Sequence, residues 1–319
     1  MTQRLDRMTW DRYKPLVFVY SFLILLLIAA QIASPGFLEL SHMENILRQA
    51  SFLGIVAIGQ NLVLLIGGMD MSIGYVITFT NILSAAIISG KNENTLKAAV
   101  LVLLVGFVIG LLNGVGVYFL KIPPMIMTLG MGNVVYGLSY IYSGGAPRGK
   151  SSDIVSNLAN GKLGGIINGS LLIWIILAAV VLFALNGTVF GRRVYAIGMN
   201  PTAARFSGVH VGCITILLYV LAGVLSALAG FLLLGYTGTS YFSTGDTYTL
   251  DSVAAAVVGG TAVIGGKGNY LGTIAGVIIM IIITSLMIML DISDAGRKIV
   301  QGSIIILLLL VIYREKKKS

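Results

Sequence analysis

Ten stretches of this chain are each long and apolar enough to cross a bilayer, which removes most of the folds otherwise open to 319 residues. Apolar residues make up 57% of the chain and charged residues 10%, against roughly 45–50% and about 25% in soluble domains. A soluble fold of this length would need more charge on its surface. Backbone polar groups in hydrocarbon must be satisfied within the chain, so the stretches read as helices. The expected fold is an all-α integral membrane protein, a single domain over residues 1–319. Its spans are expected near 15–33, 50–66, 73–90, 98–120, 123–143, 170–186, 212–234, 251–265, 270–290 and 298–313. The 40 glycines suit helices whose backbones approach closely.

Charge placement sets the expected orientation. Arg4, Arg7, Arg12 and Lys14 precede the first span, which is too long for a signal-peptide core and reads as a retained helix. Arg192, Arg193 and Arg205 cluster in the 187–211 loop, and Arg314, Lys316, Lys317 and Lys318 end the chain. With an even number of spans, the positive-inside rule puts residues 1–14, the 187–211 loop and the 314–319 tail together in the cytoplasm, with Lys121 and Lys267 on the same side. The net charge of +9 therefore sits at membrane edges, a mark of topology rather than of nucleic-acid binding. Cys213 is the sole cysteine, so an intrachain disulfide is excluded. The eighth stretch is short and rich in Ala and Gly, and reads as a broken or partly re-entrant segment. Two halves of five spans each would leave spans two to five and seven to ten oppositely oriented, an inverted repeat that no residue-level similarity betrays.

The hydrophilic interruption GRRVYAIGMNPTAARFSGVHV (191–211) is too organised for a plain linker. Asn200 is a good N-cap, Pro201 suits the first helical position, and Gly208 is placed to end the helix in a left-handed conformation. Ala203 and Ala204 keep one flank slim enough for a groove, and Arg205 adds a charged contact. So short a helix is unstable alone, so its flanking spans or a partner protein must hold it. An ordinary basic loop is the competing reading.

Around this segment stand further motifs in a fixed order. GGMDMSIG (67–74) is similar to GGIDLSVG, and KIPPMIMTLG (121–130) to K-x-P-x-F-I-x-T-L-G. LDSVAAAVVGGT (250–261) with GGKG (265–268) is similar to L-D-x-I-A-A-V-V-x-G-G-T followed by G-G-x-G. Together with 198–208, these resemble the permease subunits of the ribose, xylose and arabinose family of ABC importers, over about residues 36–313. The resemblance implies a type II importer permease in a bacterial-type cytoplasmic membrane. It further implies a second permease (identical or not), cytoplasmic ABC ATPase subunits and an extracytoplasmic solute-binding protein that delivers a monosaccharide. It makes Gly198, Asn200, Pro201, Ala203, Ala204, Arg205, Ser207 and Gly208 the ATPase-coupling segment. ATP and Mg would then be bound by the partner ATPase, with no cofactor in this chain. Two departures bear on the cargo. Sequence after the ninth span is apolar up to Asp291 where the family often carries Asn, and Met69, Met71 and Met125 stand at usual Ile, Leu and Phe positions.

Gly67, Gly68, Asp70 and Ser72 form a helix-break motif in which the glycines end one span and Asp70 or Ser72 caps the next. GGAPRGKS (144–151) matches the phosphate-binding pattern formally, but it follows an apolar span instead of a buried strand, so no ATPase activity is assigned to this chain. Gln60, Asn61, Asn81, Asn113, Asn133 and Tyr140 are the notable polar groups within spans. Each either bonds a neighbouring helix or lines the translocation path, and the resemblance points to the fifth span, with Asn133 and Tyr140, for the path. Ionisable groups are nearly absent from mid-span positions, which disfavours ion-coupled transport and fits an uncharged polar cargo. No Ser/His/Asp or metal constellation appears, and His42 and His210 fall on opposite expected sides. Two alternatives stay open at this level: a self-contained secondary transporter of a small polar solute, and ABC import of a signalling furanose or a nucleoside.

Overall fold

A computed structural model describes residues 2–165, 167–293, 295–300 and 302–303. Long helices carry the chain: α1 (Thr2–Ala33), α2 (Leu40–Leu65), α3 (Ile73–Ile88), α4 (Thr95–Tyr118) and α5 (Pro124–Ser143) come first. After a short α6 (Asp153–Asn160) and a two-stranded ribbon, β1 (Lys162–Leu163) with β2 (Ile167–Asn168), come α7 (Gly169–Gly187), α8 (Val189–Met199) and α9 (Pro201–Phe206). α10 (Val211–Thr237), α11 (Tyr248–Val258) and α12 (Tyr270–Met289) complete the described elements. Among the described residues, six helices are long and apolar enough to cross a membrane by length and composition, with α3 and α11 as shorter apolar helices.

The centre of the bundle is the antiparallel pair α2 and α10. Every residue of α2 from Ala50 to Leu65 is buried, as befits a helix that is apolar nearly all round. Around the pair the packing is reciprocal. α10, the first long helix of the second half, is held by α3 and α4; α2, the first of the first half, is held by α11 and α12. Because α2 and α10 run in opposite directions, this exchange is the expected inverted repeat, present in packing although absent from residue identity. α4 meets α10 through Gly106, Gly110 and Gly114, one residue per turn on a single face, and the Cα of Ile216 lies 2.7 Å from where a Gly114 side chain would begin. α5 packs on α3 and α4, and α1 packs on α12.

The structure adjusts several expected boundaries. The second span begins at Leu40, not residue 50, because its polar first turns are satisfied at the bundle's end. There Glu44 pairs with Lys162 at 2.6 Å, and Arg48 bonds Asn45 and stacks over Tyr236. The eighth span, expected over 251–265, is instead the half-length helix α11 preceded by irregular chain. Gly245 donates its N–H to Thr78 Oγ1 at 3.1 Å, and Gly74 donates to Thr249 Oγ1 at 2.9 Å. Residues 238–247 thus descend from the far end of α10 to the first turn of α3, well inside the bundle. α6, α8 and the ribbon were not expected from the sequence. Residues 304–319, which hold most of the tenth span and the basic tail, lie outside the described residues.

Candidate functional site

All four motifs meet at one end of the bundle. α2 ends there in a Schellman turn: Gly67, at φ 75°, donates to Leu64 O and Gly68 donates to Val63 O. The second helix break, residues 259–269 between α11 and α12, folds back against it. Gly266 N–H donates to Leu65 O at 2.9 Å, and the Asn61 amide on α2 donates to both Thr261 Oγ1 and Thr273 Oγ1, at 2.7 and 2.8 Å. Two interrupted helices are therefore tied into one junction.

α8 inserts its last turn into this junction. A side chain at Gly198 would collide with the Leu65 carbonyl and with Gly266, so only glycine lets the three backbones touch. Tyr195 on α8 donates to Gly268 O at 2.9 Å, a second tie to the same break. The chain then turns sharply into α9. Asn200 Oδ1 accepts from Ala203 N at 3.0 Å, Pro201 occupies the first turn, and Gly208 (φ 80°) with Val209 closes the other end by a Schellman turn onto Arg205 and Ala204. Ala204 is buried and Ala203 exposed, while Ser207 follows as C-cap. Arg205 donates to the Tyr118 hydroxyl at 2.7 Å, which fastens α9 to the end of α4. Beyond these ties the element projects: Met199 is 77% exposed and Phe206 88% exposed. Neither apolar side chain was singled out from the sequence. A large hydrophobe placed between a cap and a C-terminal glycine was the available signal.

The helix-break motif continues into α3 through a buried polar cluster. Asp70 Oδ1 accepts from Ser72 N and Ser72 Oγ at 2.8 and 2.6 Å, and Ser72 Oγ accepts from Asn113 Nδ2 at 2.9 Å. Thr128, from the third motif, accepts the Met71 N–H at 2.9 Å. Asp70 is 1% exposed, so the geometry is that of a turn-forming residue joining α2, α3, α4 and α5. Asp70→Ala would strand two donors in a buried site and is expected to cost about 1–3 kcal/mol, whereas Asp70→Asn keeps the acceptor and costs less. Thermal unfolding of the purified variants measures the difference.

The polar residues expected within spans separate into two groups. Gln60, Asn61, Asn81 and Asn113 are wholly buried. Asn61 and Asn113 bond as described, and Asn81 donates to Gly230 O at 3.0 Å, so these three join helices instead of facing open space. Gln60 has no hydrogen-bond partner among the described residues. Asn133 and Tyr140, by contrast, lie on the exposed face of α5. Residues 144–151 cap α5 and run on to α6 at the end of the bundle opposite α9, where Lys150 pairs with Thr239; they form no strand–loop–helix cradle for phosphate. No cluster of metal-ligating residues occurs among the described residues.

Comparison with known proteins assigns this architecture. The chain is 34% identical over 289 residues to the ribose import permease protein RbsC of Haemophilus influenzae, covering 89% of this chain and 88% of that one. It is 34% identical over 304 residues to the galactose/methyl galactoside import permease protein MglC of Escherichia coli, covering 90% of each. It is 36% identical over 286 residues to RbsC of Bacillus subtilis, covering 89% and 88%. No solved structure gives a significant match. Residues 42–309 match the family described as branched-chain amino acid transport system / permease component. With four ordered motifs converging on one capped, projecting element, and with that match over most of its length, the chain belongs to this family of transport permeases and is not an enzyme.

Proposed function

We propose that this chain is the membrane-spanning permease of an ABC importer for a monosaccharide, and that α9 is its contact with a cytoplasmic ATPase. The observation that carries the reading is the projection of Met199 and Phe206 from an element whose root, Gly198, is wedged between two helix breaks. A partner that grips α9 thereby moves α2, α11 and α12 together. In this reading α9, residues 1–14 and the 314–319 tail are cytoplasmic. The ATPase supplies ATP, Mg and hydrolysis, a second permease completes the path across α5, and a binding protein delivers cargo at the far end.

The family description names branched-chain amino acids, whereas the curated relatives are named for ribose and galactose. A sugar suits the exposed polar face of α5, which offers Asn and Tyr and no charge for an amino acid's carboxylate or ammonium group.

The test is a mild-detergent pull-down of the tagged chain with mass spectrometry. The wild type is expected to bring an ABC ATPase. Phe206→Glu is expected to weaken that association by about 2 kcal/mol, roughly thirtyfold, as for an apolar anchor removed from a pocket. Arg205→Glu, which loses the Tyr118 bond, should weaken it less. Equal recovery of the ATPase by both variants and the wild type would count against α9 as the contact.

A further inference from the structure

Residues 238–247 present irregular backbone inside the bundle, yet Tyr241, Ser243, Asp246 and Thr247 remain exposed. Turn bonds and the Gly245–Thr78 bond pair part of this backbone; irregular chain at membrane depth is tolerated where protein buries it or it lines a water-filled cavity, and the exposed side chains here fit the second case. Across from this segment stands the exposed face of α5. Asn133, Tyr136, Gly137 and Tyr140 follow one another at helical spacing. Nothing lies within 4 Å of a Cβ built at Gly130 or Gly137, so the face is open, and this polar stripe runs beside the exposed apolar side chains of Val134, Leu138 and Ile141. It differs from the exposed stripe of α7, where Ile175, Ile176, Val180 and Phe183 offer only hydrocarbon.

The two elements meet through aromatic rings. Phe242 stacks on Tyr140 with centroids 4.2 Å apart and planes 15° from parallel, and it meets Tyr136 at 6.3 Å and 70°. Tyr75 of α3 backs Tyr136 edge-on at 5.8 Å. Tyr136 and Tyr140 bring their hydroxyls to 3.4 Å of each other, and the residues stay 36% and 44% exposed. Tyr136 stands edge-on to both stacked rings, 72° from Tyr140 and 70° from Phe242, so the cluster is a corner of ring face and ring edge with two hydroxyls beside it. Such a corner complements a solute with one C–H face and many hydroxyls; an ion gains little from it, and a lipid tail would strand the hydroxyls.

We infer that Tyr136, Tyr140 and Phe242 form a sugar-contacting platform in the translocation path, where an uncharged monosaccharide lays its C–H face on the rings and hydrogen-bonds the tyrosine hydroxyls. This rests on the importer reading above and adds to it the residues that discriminate among sugars. The hydroxyl pair reads the solute's hydroxyl pattern, and the Tyr140–Phe242 stack sets the size of the passage.

The test uses the complex of permease, ATPase and binding protein reconstituted in proteoliposomes, with uptake of radiolabelled D-ribose and D-galactose as probes. Tyr140→Ala and Phe242→Ala are expected to lower uptake of the preferred sugar about tenfold, while Tyr140→Phe shifts the ribose-to-galactose uptake ratio several-fold by removing one hydroxyl. All three should keep the ATPase and the second permease in the complex. The platform is overturned if the uptake ratio in Tyr140→Phe equals that of the wild type, or if the variants shed the second permease, which would make the face a subunit interface. A wild-type complex whose sugar uptake needs no ATP overturns the importer reading itself, and the platform with it.

Discussion

Gly198→Val is expected to abolish coupled transport while leaving the chain inserted and monodisperse. The substitution adds a branched side chain where the Leu65 carbonyl and Gly266 already touch the Gly198 backbone. These neighbours are main chain within two helix breaks, so no side-chain rotation relieves the overlap. Overpacking of this kind costs about 1–3 kcal/mol. Here the cost falls on the seat of α8, at one end of the bundle and outside the α2–α10 core, so the strain is relieved by lifting α8 and α9 away. Loss of the ties through Gly266 and Gly268 would then separate motion of α9 from motion of the spans. ATP-driven uptake is expected to fall about a hundredfold, equivalent to about 3 kcal/mol in the coupled step. Hydrolysis by the bound ATPase continues. Parallel measurement of uptake and ATP hydrolysis in vesicles checks this; uptake at the wild-type level would show that the junction does not transmit the stroke.

Gly110→Leu should instead destroy the fold. Its Cβ would overlap the Tyr219 carbonyl and approach the Val220 Cα to 2.7 Å, in the middle of the face by which α4 holds α10. Close approach of small residues is what drives helices together where lipid is as apolar as the side chains. Forcing the pair apart also disrupts the Gly106–Gly223 and Gly114–Ile216 contacts on either side. A loss of about 3 kcal/mol or more is expected, enough to prevent recovery of a monodisperse protein. Gly137→Ala supplies the comparison, since a Cβ there meets nothing within 4 Å and should leave thermal stability within about 0.5 kcal/mol of wild type. Size-exclusion profiles after graded heating distinguish the two.

Much of this fold is legible in the order of residues because hydrocarbon leaves a chain few choices. Long apolar runs had to be helices, and α3, α5, α7 and α12 lie within a few residues of their expected bounds. Local chemistry was equally readable at α9, where Asn200, Pro201 and Gly208 each occupy the position their side chains or backbone favour. What the sequence hid depends on tertiary partners. α8 carries two arginines and two glycines and reads as loop; it is helical because Gly191 and Gly198 fit against Leu185 and Leu65. The segment GTSYFSTGDT (238–247) falls between the expected seventh and eighth spans, yet the Gly245 bond to Thr78, with the Thr249 bond to Gly74 just beyond it, draws the chain inward. Asn61, Asn81 and Asn113 resemble path-lining groups until their partners on neighbouring elements are seen. The inverted repeat lies in which helix holds which, a property no single segment encodes.

A permease driven through α9 differs from a self-contained carrier in one respect that a single experiment reaches. Proteoliposomes containing the chain and its co-purified ATPase and binding protein are loaded with ATP and Mg or left without them, and uptake of labelled D-ribose and D-galactose is followed. Accumulation of at least one of the two sugars is expected only with ATP, and none when the chain is reconstituted alone. Uptake by the chain alone, without nucleotide, would contradict coupling through α9.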